Sequence, residues 1–280
     1  MSGNYADEIE YKIFGSEMQF VEVELDPGES VIAEAGAMMY KDSTIDMDTI
    51  FGDGSAKSSQ GGFFDKLVGA GKRLITGESL FMTVFTNKGR NKGKAAFGAP
   101  YPGNIIPVHL PEIGGTIICQ KDSFLCAAKG VSVGIYLQRK IMTGLFGGEG
   151  FIMQKLEGDG LAFMHAGGTI VERQLQPGET LHVDTGCVVA FEPSVQFEIQ
   201  QAGNVKTALF GGEGLFFAAL SGPGKIWLQS LPFSRLAGRM LAAAPKQGGS
   251  KEEGSILGKT VLGGTVLGGL GSFLGGDDND

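Results

Sequence analysis

Three histidines, His109, His165 and His182, are where metal or acid–base chemistry would have to start in this chain of 280 residues. A cupin-type metal site needs histidines and a carboxylate converging from facing strands. No two of the three stand at strand-alternation spacing. His182 with Asp184 is the best local pair, and His165 follows Asp159 on a predicted strand. Each reads as an exposed or hydrogen-bonded histidine, so the expectation is no metal site. Cys119, Cys126 and Cys187 form no C-x-x-C pair and leave one over, which suits buried thiols in a reducing compartment. There is no G-x-S-x-G elbow and no cysteine marked by a histidine partner. The run Gly254-Ser-Ile-Leu-Gly-Lys-Thr260 imitates a phosphate loop but is one residue short between its glycines, and it follows a polar linker where a strand is required. The residues therefore predict no catalytic group, no cofactor and a non-enzymatic role.

One carboxylate set remains. Leu145-Phe-Gly-Gly-Glu-Gly-Phe151 and Leu209-Phe-Gly-Gly-Glu-Gly-Leu215 repeat a phrase, and Leu74-Ile-Thr-Gly-Glu-Ser-Leu80 is a weaker version. Three glutamates so placed, Glu78, Glu149 and Glu213, could line an axis and hold a cation. The simpler reading is structural: with Gly77, Gly148 and Gly212 they form turns whose own amides the carboxylates satisfy.

The elements around these phrases argue for that second reading. From Met18 to Leu25, Val21, Val23 and Leu25 alternate with Glu22 and Glu24, which predicts a half-buried strand. It ends at Asp26-Pro-Gly-Glu29, a turn that recurs at Gln176-Pro-Gly-Glu179 and, degenerately, at Leu110-Pro-Glu-Ile-Gly-Gly115. Gly36, Asp122 and Gly186 follow these turns and precede strand-like runs at Ala37–Tyr40, Ser123–Cys126 and Cys187–Ala190. The interval to the glutamate is 27 positions in two cases (149 − 122 and 213 − 186) and 42 in the first (78 − 36), so the first copy carries an insertion. The pattern predicts an all-β fold of three β-sandwich-like repeats, about 11–106, 107–170 and 171–234, around a pseudo-threefold axis, with short peripheral helices. Residues 1–245 then form one β domain, and 246–280 a Gly-rich flexible tail.

Two stretches look built for contact. In the insertion, Phe63, Phe64 and Leu67 fall at helical spacing among Lys66, Lys72 and Arg73, predicting a short amphipathic helix. A basic tip follows, with Lys88, Arg90, Lys92 and Lys94. Together they are candidates for a protein partner or an anionic membrane surface. The net charge of −8 argues against general nucleic-acid binding. The 47 glycines without a G-X-Y period imply many tight turns. The polar, acidic start is unlike a targeting sequence, so the expected location is cytoplasmic, with peripheral membrane contact and self-association as candidate properties.

The two Phe-Gly-Gly-Glu-Gly phrases, the Gln176–Glu179 turn, the Val183-Asp-Thr-Gly-Cys-Val-Val-Ala-Phe191 run and the Gly/Leu tail together resemble the family named for altered inheritance of mitochondria, formerly a domain of unknown function found widely in bacteria. The resemblance runs from about Tyr11 to Leu241. It implies a fold similar to that of the tryptophan RNA-binding attenuation protein, with internal threefold symmetry. Eukaryotic members are mitochondrial and linked to inner-membrane organisation; with no presequence read here, that location is not carried over. The family brings no catalytic residues to transfer. The expected function is that of a scaffold or interaction protein, the alternative a small-ligand or nucleic-acid binding β-domain, and a metal-dependent enzyme the least favoured.

Overall fold

A computed structural model describes residues 5–51, 81–99, 101–139, 151–201 and 216–243. The chain divides into two units, Met1–Leu236 and Ala237–Asp280, and every described strand belongs to the first. The insertion residues Phe63 to Arg73, the repeated Gly-Glu turns and the whole of the tail, 246–280, lie outside the described residues.

The strands are β1 (Glu10–Phe14), β2 (Phe20–Leu25), β3 (Ser30–Glu34), β4 (Met38–Lys41), β5 (Ile45–Phe51), β6 (Phe81–Asn87), β7 (Gly93–Gly98), β8 (Gly103–His109), β9 (Thr116–Gln120), β10 (Phe124–Ala128), β11 (Ser132–Arg139), β12 (Phe151–Glu157), β13 (Leu161–Gly167), β14 (Ile170–Leu175), β15 (Thr180–Asp184), β16 (Val188–Phe191), β17 (Gln196–Gln201), β18 (Phe216–Ser221) and β19 (Gly224–Gln229), followed by the helix α1 (Phe233–Ala243). All strand pairs within the sheets are antiparallel and form four sheets: β1-β2-β7-β4, β5-β6-β3-β10-β13-β8, β11-β12-β9-β16-β19-β14 and β15-β18-β17. The all-β expectation holds.

The pairings recur along the chain. β7 pairs with β2 and β4, β13 with β8 and β10, and β19 with β14 and β16. In the same order β6 pairs with β3 and β5, β12 with β9 and β11, and β18 with β15 and β17. A bulge falls at the same place each time, between Met38 and Tyr40, Phe124 and Cys126, and Val188 and Ala190. The second of these pairing units opens with β8 at Gly103, inside the span that the sequence reading gives to the first repeat. Two further pairings, β3 with β10 and β9 with β16, join one unit to the next and make both six-stranded sheets continuous across units.

Neighbouring sheets share cores, and strand alternation decides which residue enters which. Val31 and Ala33 of β3 join Val21, Val23, Leu25 and Phe97 of the first sheet, whereas Ile32 faces the other way, toward Ile117, Cys119 and Leu156 of the third. Ile118 turns from that cluster to Val183, Ala218 and Leu220 of the fourth sheet. Strands buried on both faces carry apolar residues at consecutive positions, as Phe124–Ala128 does, all five buried.

The Pro-Gly-Glu turns behave as their residue types demand. Gly28 and Gly178 take φ of 93° and 80°, a region open to glycine without steric cost. Glu29 and Glu179 each accept the backbone N–H at the start of their own turn, from Asp26 at 2.7 Å and Gln176 at 3.0 Å. At the end of β6, fully buried Asn87 donates to the Leu25 and Asn91 carbonyls and accepts from Gly89 N–H. Asn87→Ala leaves the Leu25 carbonyl without this donor and is expected to cost about 2 kcal/mol, read as a lower urea midpoint at unchanged slope.

Candidate functional site

Of the predicted contact residues, Lys88, Arg90, Lys92 and Lys94 are described, on the hairpin between β6 and β7. They do not form one free basic tip. Lys92 Nζ lies 3.0 Å from both Glu10 and Glu24, and Lys94 Nζ lies 2.8 Å from Glu22. Both lysines are held above the ordinary range, Lys92 by Glu24 then Glu10, Lys94 by Glu22. Lys94, then the Tyr40 hydroxyl, holds Glu22 below it. Lys88 and Arg90 are exposed and make no ion pair among the described residues.

Cross-strand register explains this arrangement. On the outer face of the first sheet, Glu10, Glu24 and Lys94 stand in one row. Lys12, Glu22, Ala96 and Tyr40 form the next. Phe14, Phe20 and Gly98 form the third. The third row is apolar: Phe14 stacks on Phe20 at 5.0 Å, and Phe20 meets the Tyr40 ring edge-on at 6.4 Å. A Cβ on Gly98 would come within 2.9 Å of Met39 Sδ, so the glycine leaves the room that Met39 occupies. Met38, Met39 and Tyr40 are 38%, 53% and 42% exposed, a stripe of large apolar side chains reaching solvent along β4. The equivalent β10 and β16 are buried throughout.

A second cluster is buried. His165 of β13 is 2% exposed, and neither ring nitrogen has a hydrogen-bond partner of normal geometry among the described residues. Tyr101 stands edge-on to it at 4.6 Å, and Phe233 packs on Tyr101 at 5.2 Å. A side chain at Gly103 would strike His165 Nε2 at 2.5 Å, so the imidazole sits against bare backbone. Burial pushes the His165 pKa down to about 4, opposed in part by the Tyr101 backbone. Glu34, at the end of β3, is pushed up to about 7 by burial and by Asp122 against the pull of Lys121. Tyr101 is pushed up to about 12 by burial, then by Asp122 and Glu34. Gln229, the counterpart of His165 on β19, shows what a satisfied side chain does there: it accepts from Gly167 N–H and donates to the Gly186 carbonyl. The sequence reading of His165 as exposed or hydrogen-bonded does not describe this environment.

The other chemistry-bearing residues stay apart. His109 pairs with Glu112 on the surface at 3.2 Å, and His182 lies on the Phe217 ring at 4.8 Å. Cys119 and Cys126 are buried, with thiols pushed up by desolvation, Cys119 to about 12, which suppresses the reactive thiolate. Cys187 is partly exposed, with the Arg235 guanidinium 3.9 Å from its sulfur. Among the described residues no three His, Cys, Asp or Glu side chains are grouped as a metal site, and no helix is long and apolar enough to cross a membrane.

The match to known proteins covers these same strands. A family model described as mitochondrial biogenesis AIM24 matches residues 11–231. The chain belongs to the AIM24 family. It is similar to an uncharacterized protein of Streptococcus pyogenes serotype M6, 30% identical over 233 residues that span 81% of this chain and 88% of the relative. The crystal structure of another Streptococcus pyogenes protein superposes with a TM-score of 0.66 at 25% identity, covering 85% of this chain and all of that one. The AIM24 match thus takes in β1 through β19, the exposed Met38–Tyr40 strand and the His165 cluster alike.

Proposed function

We propose that this AIM24 chain is a non-enzymatic scaffold that acts through surface contacts, from the cytoplasm and at the periphery of a membrane or membrane complex. The observation that carries the reading is the apolar stripe of Met38, Met39 and Tyr40 on an edge strand whose two counterparts in the chain are fully buried. Exposed apolar surface joined to unpaired backbone is the composition of a contact site. The recurring pairings support three sandwich units set about a threefold axis, in the manner of the tryptophan RNA-binding attenuation protein. Lys88 and Arg90 supply the free positive charge for anionic headgroups.

Affinity capture from native lysate tests the contact reading. The full chain is expected to retain a defined set of partners that Met39→Glu loses; an identical set with the variant overturns the assignment to this edge. Flotation on phosphatidylserine vesicles tests the membrane arm. Lys88→Glu with Arg90→Glu is expected to lower vesicle binding about tenfold or more at low salt. Equal flotation of native chain and variant removes this pair from the membrane contact.

A further inference from the structure

We infer that α1 is an interfacial helix, which lies flat on an anionic lipid surface with Met240 and Leu241 inserted below the headgroups. This rests on the membrane arm of the proposed role, and it adds to Lys88 and Arg90 the element that enters the apolar layer.

The residue types give this helix two faces. At 3.6 residues per turn, Phe233, Leu236, Ala237, Met240, Leu241 and Ala243 fall within an arc of about 160°, with Arg239 bordering that arc and Arg235 opposite it. Such a stripe normally packs on a core. Here its first turn does so: Phe233 rests on Tyr101 at 5.2 Å, Leu236 is half-buried, and Arg235 reaches Asp184 at 3.4 Å. Further along, Met240 and Leu241 are 64% and 75% exposed, the most exposed methionine and leucine among the described residues. Apolar side chains left in water on a helix whose only charges are positive are the composition of a helix that lies in a membrane surface.

Charge and size select lipid as the partner. No acidic residue lies between Glu213 and Glu252, an interval that holds Lys225, Arg235, Arg239, Lys246 and Lys251, although the whole chain carries −8. At physiological salt fields fade over about 8 Å, so the local sign governs a contact made by α1 and the net charge does not. Arg239 is exposed, makes no ion pair among the described residues and is left to meet headgroups. A stable protein interface takes roughly 20–30 residues from each side, far more than the free end of α1 offers, whereas insertion into lipid needs no complementary surface. At 11 residues the helix is roughly half the length that crosses a bilayer, so it lies in the plane of the surface.

The test is flotation of the full chain with vesicles of phosphatidylcholine alone and of phosphatidylcholine with phosphatidylserine. Met240→Ser with Leu241→Ser is expected to lower binding to the phosphatidylserine vesicles about tenfold or more, and Arg239→Gln about fivefold. All three positions are exposed, so urea midpoints should match the native chain. Insertion is read separately. Leu241→Cys, in a Cys187→Ala background that removes the partly exposed thiol, carries an environment-sensitive dye whose emission should brighten and shift to the blue on anionic vesicles. The inference is overturned if the double serine variant floats as the native chain does; loss with Lys88→Glu/Arg90→Glu then leaves the membrane reading standing without α1. It is also overturned if the dye is already shielded in the free protein and vesicles change nothing, because then another part of this chain or a second copy covers the helix. A native chain that floats with neither vesicle overturns the membrane reading and this inference together.

Discussion

Phe163→Ala is expected to destabilise the protein by about 4 kcal/mol and to lower its melting temperature by about 10 °C. Phe163 is fully buried in β13, between β10 and β8. Its ring meets Tyr11 edge-on at 4.9 Å and packs in the cluster that holds Phe85 and Phe97, themselves edge-on at 5.0 Å. Truncation removes the transfer energy of the ring and leaves a cavity between two sheets, each held by its own backbone ladder, so collapse into the void is restricted. Phe163→Leu, which keeps most of the volume, is expected to cost about 1 kcal/mol. Urea unfolding of the three proteins checks both values; equal midpoints for Ala and native chain would mean that this cluster is not the joint between the first and second sheets.

Phe163 also marks where sequence reading stops. The alternation of Val21, Val23 and Leu25 with Glu22 and Glu24 is legible because that strand has one dry and one wet face, and β2 is as predicted. The Pro-Gly-Glu turns are legible because residue type dictates φ. β10, β13 and β16 are buried on both faces, so their apolar runs announce strands without telling which residue enters which core. Nothing local says that β3 pairs with β10 or β9 with β16, although those pairings turn separate units into shared sheets. The basic tip shows the same limit. The lysines are visible in the sequence, and so are Glu22 and Glu24, but only the β2–β7 register sets them 2.8–3.0 Å apart. The cluster of Glu34, Tyr101, Asp122 and His165 comes from widely separated stretches. Its one local signal is a histidine in the apolar run Leu161–Gly167, where a buried ring with no partner is a costly exception.

That cluster sets the second large expectation, a pair of opposed pH dependences. Glu34 rises from 4.5 to about 7 on folding. The folded state therefore keeps a proton that the unfolded state releases, and the Glu34 contribution falls as pH rises from 4.5 to 7, by about 3 kcal/mol in all. His165 drops from 6.5 to about 4. The unfolded chain binds that proton first as pH falls, so the His165 contribution is present above pH 6.5 and falls by about 3 kcal/mol on the way down to pH 4. Between pH 4.5 and 6.5 the two slopes have opposite sign and offset each other. Glu34→Gln removes one: the stability of native chain minus variant should decrease through pH 4.5 to 7. His165→Leu removes the other: native minus variant should increase from pH 4 to 6.5. Taking differences from the native chain cancels the carboxylates common to both, including Asp7, which burial raises as well. Urea midpoints at half-unit steps from pH 4 to 8 give both curves. Parallel profiles for the native chain and Glu34→Gln would show that Glu34 is solvated in the folded protein. A flat difference for His165→Leu would show that the imidazole takes up its proton in the fold as readily as in water, which a ring closed in by Tyr101 and the Gly103 backbone does not allow.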